Sequence, residues 1–181
     1  MNLPNKLTVG RLCAIPVIMV CLEMREAPWT RWAAFGLFVA ACLTDFLDGH
    51  IARSRNLVTV LGKFLDPLAD KALVSALLCY FISFGYASPA AVIIVLCREF
   101  VVSGVRMAAV TDGRVIAANI FGKIKTAFQM FSLSAVLLFD AAVPQAGWIS
   151  VFSNICVWII ALLTAVSGII YVVQNKDVFS E

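Results

Sequence analysis

The sequence predicts an all-α integral membrane protein of six transmembrane helices, folded as a single domain over residues 1–181. Composition and length carry that expectation. Hydrophobic residues make up 62% of the chain and charged residues only 14%, with a mean hydropathy of +0.95. A soluble domain of ordinary make-up is about a quarter charged, so there is too little charge here to coat a globule in water. The length suits about six spans of roughly 20 apolar residues each, joined by short loops. A membrane barrel is excluded because the long apolar runs do not alternate, and disorder is excluded by the apolar content itself.

Charge clusters and Pro/Gly punctuation delimit each helix in turn. The first is expected at 5–23, where Lys6 and Arg11 precede the apolar run 12–22. Glu23-Met24-Arg25-Glu26 follows rather than a small-residue cleavage site, so the segment reads as a retained span. The second, 32–53, is free of charge from Trp32 to Thr44 and then meets Asp45 and Asp48. The third, 61–84, opens with Asp66, Asp70 and Lys71, and Pro67 falls early enough to cost little intrahelical bonding. The fourth, 89–111, carries Arg98, Glu99 and Arg106; the fifth, 117–139, opens with Lys123 and Lys125; the sixth is 147–173. Loops are expected at 25–31, 54–60, 85–88, 112–116 and 140–146, the last beginning at Asp140. The six cysteines lie in apolar stretches without CxxC spacing and read as small buried hydrophobes.

Orientation follows from Lys and Arg. With both termini in the cytosol, 12 of the 14 fall on the inner side and only Arg25 and Arg31 outside. The charges that interrupt the middle four spans all lie towards that inner end, which predicts a polar cavity sunk into the inner leaflet. Ionisable groups at membrane depth are costly and argue for a functional site.

Asp45 and Asp48 are spaced i, i+3, and Asp66 and Asp70 i, i+4, so each pair shares a helix face. The short loop between the second and third helices predicts antiparallel neighbours, bringing both pairs to one depth. Four converging carboxylates repel unless a cation joins them, and oxygen-only ligands suit Mg²⁺ or Mn²⁺. Gly49 and Gly62 keep bulk away from the acids, leaving room for a ligand or for close helix approach. His50, the one histidine, reads as an interfacial side chain rather than a ligand.

The run Asp45-x2-Asp48-Gly49-x2-Ala52-Arg53-x8-Gly62-x3-Asp66-x3-Asp70 resembles the signature of the CDP-alcohol phosphatidyltransferase family without a departure. The stretches Asn2-Leu3-Pro4-Asn5, Gly62–Lys71, Arg98-Glu99-Phe100, Ser103–Arg106 and Gly122–Thr126 are similar to members of that family that act on glycerol 3-phosphate. The resemblance implies a homodimeric six-helix enzyme of the bacterial inner membrane with its active site facing the cytoplasm. It implies transfer of the phosphatidyl group of CDP-diacylglycerol to sn-glycerol 3-phosphate with release of CMP, in phospholipid biosynthesis. It further implies a two-metal site on Asp45, Asp48, Asp66 and Asp70, with Asp70 also the proton acceptor. Asn5, Thr8, Gly49, Arg53, Thr59 and Gly62 match positions that contact the CDP-lipid.

The chemistry agrees with those roles. Cations can hold a diphosphate and stabilise departing CMP, a positioned carboxylate can deprotonate an alcohol, and Arg53 can fork onto a phosphate oxygen. Arg98, Arg106, Lys123 and Lys125 form a basic cluster suited to an acceptor that itself carries a phosphate. Glu99 is expected to point elsewhere on its helix. Nucleic acid is not an expected partner. Two other readings stay open: the same family with inositol phosphate, serine or phosphatidylglycerol as acceptor, and a divalent-cation transporter. The transporter reading is disfavoured by the apolar outer halves of the spans.

Overall fold

The computed structural model describes residues 3–54, 60–111, 120–144 and 146–174, with side chains at 7–45, 68–105, 122–144 and 146–174. Among these there are six α-helices and no strand. They are α1 Leu3–Glu23, α2 Pro28–Ser54, α3 Val60–Ser83, α4 Pro89–Thr111, α5 Ile120–Ala142 and α6 Gly147–Gln174. The expected helices are all found, with shifted ends. α2 starts at Pro28 rather than 32, because a proline at the first helical position loses no bond and arrives with a helical φ. Thr30 fixes that start, its Oγ1 donating to the carbonyls of Met24 (2.8 Å) and Ala27 (2.7 Å).

α1 packs against α2 and α3, α6 against α4 and α5, and α2 against α5. The core these contacts enclose includes Ile18, Phe38, Leu77, Phe81, Val95 and Ile160. Direct α2–α3 packing, expected from their short connection, is slight among the described residues; α1 mediates between them. The buried residues of α6 recur as Ser153, Val157, Ile160, Thr164, Ser167 and Tyr171, one stripe facing α4 and α5. Its other face, with Val151, Ile155, Leu162, Val166 and Ile169, is also apolar yet exposed. Helices apolar all round suit lipid rather than water. Among the described residues, Gly122–Ala142 and Gly147–Gln174 are long and apolar enough to cross a membrane. Apart from Arg31 at the start of α2, the charges in the sequences of α2, α3 and α4 lie towards one end and depress the hydropathy of those helices.

The opposite end of the bundle is closed by a buried network. α3 ends in a Schellman motif: Gly85, at φ 71°, lets Tyr86 N donate to Phe81 O (2.7 Å) and Gly85 N to Ile82 O (3.0 Å). The chain thereby folds back, setting the Tyr86 ring edge-on to Phe81 at 6.0 Å. Its hydroxyl donates to Asp140 Oδ1 at 2.5 Å. Arg25 Nη2 donates to both Tyr86 Oη and Asp140 Oδ1 at 3.2 Å, and its guanidinium lies 4.0 Å over the Phe84 ring. Arg31 donates to the carbonyls of Arg25 (2.7 Å) and Asp140 (3.4 Å). Asp140, expected to open a loop, is therefore buried in the last turn of α5, since its counter-charge comes from the α1–α2 connection.

Candidate active site

Asp45 on α2 and Asp70 on α3 meet through a residue that sequence reasoning took as a topogenic charge. Arg11 of α1 is buried, and its Nη1 lies 2.7 Å from Asp45 Oδ1 and 2.8 Å from Asp70 Oδ1. Each carboxylate keeps about a third of its surface exposed, 36% for Asp45 and 33% for Asp70, whereas the Arg11 side chain has none. α1 makes this possible by packing on both acid-bearing helices, which places its residue 11 between them. Thr8 lies one turn earlier on α1 and is also fully buried. Both carboxylates are oxygen ligands of the kind a hard divalent cation takes, and the point where they converge is held by the Arg11 guanidinium. Among the described residues no three acidic, histidine or cysteine side chains cluster for a metal. The side chains of Asp48 and Asp66, the other expected ligands, fall outside those described, as do Asn5, Gly49, Arg53, Thr59, Gly62 and Arg106.

Beside Asp70 opens a cavity of about 250 Å³ among α3, α4, α5 and α6. Four cations line it, Lys71, Arg98, Lys123 and Lys125, against two carboxylates, Asp70 and Glu99. The structure thus brings Arg98, Lys123 and Lys125 of the expected basic cluster to the same hollow as Asp70. It also corrects the expectation for Glu99. Rather than pointing away, its Oε1 accepts from Arg98 Nη1 at 3.0 Å and from Lys125 Nζ at 2.6 Å. Neighbouring residues on a helix do not ordinarily face each other, but the Arg98 side chain is long enough to turn back. One carboxylate shared between two cations leaves the group with surplus positive charge. Lys123 is exposed, and Lys71 Nζ donates to Ser103 Oγ, which itself donates to the Glu99 carbonyl at 2.5 Å.

α6, chemically unremarkable in sequence, supplies the back wall. Arg98 Nη2 donates to Ser167 Oγ at 3.0 Å, and Ser167 in turn donates to the Thr164 carbonyl at 3.1 Å. Gly168 is the reason the Arg98 stem fits: a Cβ there would lie 2.8 Å from Arg98 Cγ and 3.3 Å from its Nε. Tyr171, buried, and Ser167 complete that wall. The site can therefore hold an anionic group against fixed cations, with a carboxylate at its edge to take a proton.

The comparisons with known proteins agree over nearly the whole chain. It is 40% identical to the CDP-diacylglycerol–glycerol-3-phosphate 3-phosphatidyltransferase of Bacillus subtilis (strain 168), covering 97% of this chain and 96% of that protein. It is 38% identical to the protein of the same name from Rickettsia bellii (strain RML369-C), over 98% and 97%. A cardiolipin synthase (CMP-forming) of Oryza sativa subsp. japonica is 40% identical over 76% of this chain and 46% of its own length. The family model for CDP-alcohol phosphatidyltransferases matches residues 1–170, which include Arg11, both described acids and most of the cavity wall. By that match and these relatives, the chain belongs to the CDP-alcohol phosphatidyltransferase family.

Proposed function

We propose that this chain transfers the phosphatidyl group of CDP-diacylglycerol to sn-glycerol 3-phosphate, forming phosphatidylglycerophosphate and CMP. The observation that carries the reading is the single cavity that joins Asp70 to Lys71, Arg98, Lys123 and Lys125. A phosphate-bearing alcohol needs that combination, with cations for one end and a proton acceptor for the other. The names of the bacterial relatives support the same acceptor.

In the reaction, the acceptor's primary hydroxyl oxygen bonds to the lipid-side phosphorus while Asp70 takes its proton. The bond from that phosphorus to the CMP oxygen breaks, and CMP leaves with the electron pair. A positioned carboxylate is the group an alcohol nucleophile requires. Asp45 and Asp70, with Asp48 and Asp66, would hold Mg²⁺ or Mn²⁺, which would supply positive charge for the diphosphate and the departing CMP. Arg98, Arg106, Lys123 and Lys125 orient the acceptor phosphate, each charge-assisted bond being stronger than a neutral one. Asn5, Thr8, Gly49, Arg53, Thr59 and Gly62 contact the CDP-lipid. The enzyme spans a bacterial cell membrane six times with both termini and the site on the cytoplasmic side, and works as a homodimer.

The test is CMP release from CDP-diacylglycerol in detergent with glycerol 3-phosphate, inositol phosphate, serine or phosphatidylglycerol as acceptor. Release with glycerol 3-phosphate, abolished by a chelator and restored by Mg²⁺ or Mn²⁺, is the expected result. Release only with another acceptor overturns the acceptor assignment and leaves the family intact. Full turnover in chelator overturns the metal site.

A further inference from the structure

Gln129 of α5 is buried, 3% exposed, and lines the same cavity as Asp70. Its amide nitrogen Nε2 has no hydrogen-bond partner among the described residues. A buried amide donor left unmade costs about 1–3 kcal/mol, so a native protein keeps one where something else satisfies it. Its position along the bundle says what that could be. Tyr86 N is bonded to Phe81 of α3 and Tyr86 Oη to Asp140 of α5, so one residue joins the far ends of the two helices. Asp70 lies eleven residues down α3 from Phe81, and Gln129 eleven residues down α5 from Asp140, about 16 Å in each case. Gln129 and Asp70 therefore lie at similar distances along their helices from that joint, in keeping with their lining one cavity. Lys125 and Lys123 follow one and nearly two turns nearer the start of α5.

Resting on the glycerol 3-phosphate reading, we propose that Gln129 is a specificity-determining residue whose amide donates to the middle hydroxyl of the acceptor. The acceptor has three polar features in a row: a phosphate, a middle hydroxyl and the primary hydroxyl that attacks. The cations take the first and Asp70 the last. Gln129, on the wall of the same cavity as Asp70 and on the helix that carries Lys123 and Lys125, is the donor left for the one between. An acceptor without the middle hydroxyl leaves the buried donor unpaired, and a site built on a hydrogen bond rejects such analogues strongly.

The experiment compares glycerol 3-phosphate with 3-hydroxypropyl phosphate, which lacks only the middle hydroxyl, by CMP release from the full-length enzyme. Wild type should favour glycerol 3-phosphate in kcat/KM by about tenfold or more. Gln129→Met keeps the bulk and loses the donor, and should bring that ratio close to one while leaving the CDP-diacylglycerol KM unchanged. Gln129→Asn withdraws the amide by one methylene and should also lose the preference; it decides the matter if Gln129→Met does not fold. A ratio unaltered in either folded variant overturns the proposal, as does equal loss with both acceptors, which is the mark of a structural role. Wild type that releases CMP with neither phosphate acceptor but with another alcohol overturns the acceptor reading, and this inference falls with it. Wild type that uses glycerol 3-phosphate but does not discriminate overturns this inference alone.

Discussion

Arg11 stands where two carboxylates would otherwise face each other with no counter-charge between them among the described residues, and it is itself cut off from water. Breaking a buried pair typically costs about 3–5 kcal/mol, chiefly because a charge is stranded. Both acids retain some solvent, so Arg11→Ala should destabilise by the lower part of that range, about 3 kcal/mol. Thermal unfolding in detergent measures this, and added Mg²⁺ or Mn²⁺ should recover part of the loss by taking the vacated charge position. An equal loss with and without the cation would mean that Arg11 serves packing alone. Asp70 answers to a different measurement. On the proposed role of Asp70 in taking the proton, Asp70→Asn should lower CMP release by about 10²-fold or more while CDP-diacylglycerol still binds. Near-normal turnover would assign the proton to another group.

At the scale of the helix, α6 acts by what it omits. Gly168→Ala should push the Arg98 stem aside, because the new methyl would meet Cγ at 2.8 Å, too close for a mid-chain atom to accommodate cheaply. The acceptor KM should rise about tenfold, the equivalent of one charge-assisted bond, with the CDP-diacylglycerol KM nearly unchanged. Combined with Arg98→Ala, the glycine change should add little, since the two act through one side chain. The helices themselves were legible in sequence because apolar length and charge or Pro/Gly breaks mark each one. Asp45 and Asp70 were legible because their spacing fixes a face. Ser167 and Gly168 were not, being ordinary packing residues until a neighbouring arginine is seen against them. Arg11 was hidden for a similar reason: a cation beside an apolar run looks like a topology signal, and its partners lie on two other helices. Asp140 was mistaken for a loop residue because its partners are 54 and 115 positions away.

Over the whole molecule, the polar chemistry is gathered towards one end and a closed network of Arg25, Arg31, Tyr86 and Asp140 fastens the other. Tyr86→Phe removes one bond to a buried carboxylate and should lower stability by about 1.5–3 kcal/mol, read as a lower melting temperature. The ratio of acceptor to CDP-diacylglycerol KM should not move, because the network is remote from the cavity. Burial first, and the hydrogen bond to Asp140 second, hold the Tyr86 hydroxyl above its usual pKa. The folded state thus keeps that proton more tightly than the unfolded chain, so the contribution is whole below about pH 10 and declines only above it. The same network also bears on biogenesis. Its donors are synthesised early, in the first and third inter-helix connections and the start of α2, whereas Asp140 emerges only at the end of the fifth helix. A nascent chain that has formed four helices holds Arg25, Arg31 and Tyr86 without Asp140. Arrival of Asp140 then ties the α1–α2 and α3–α4 connections together in one step, so closure of that end reports that five helices are in place.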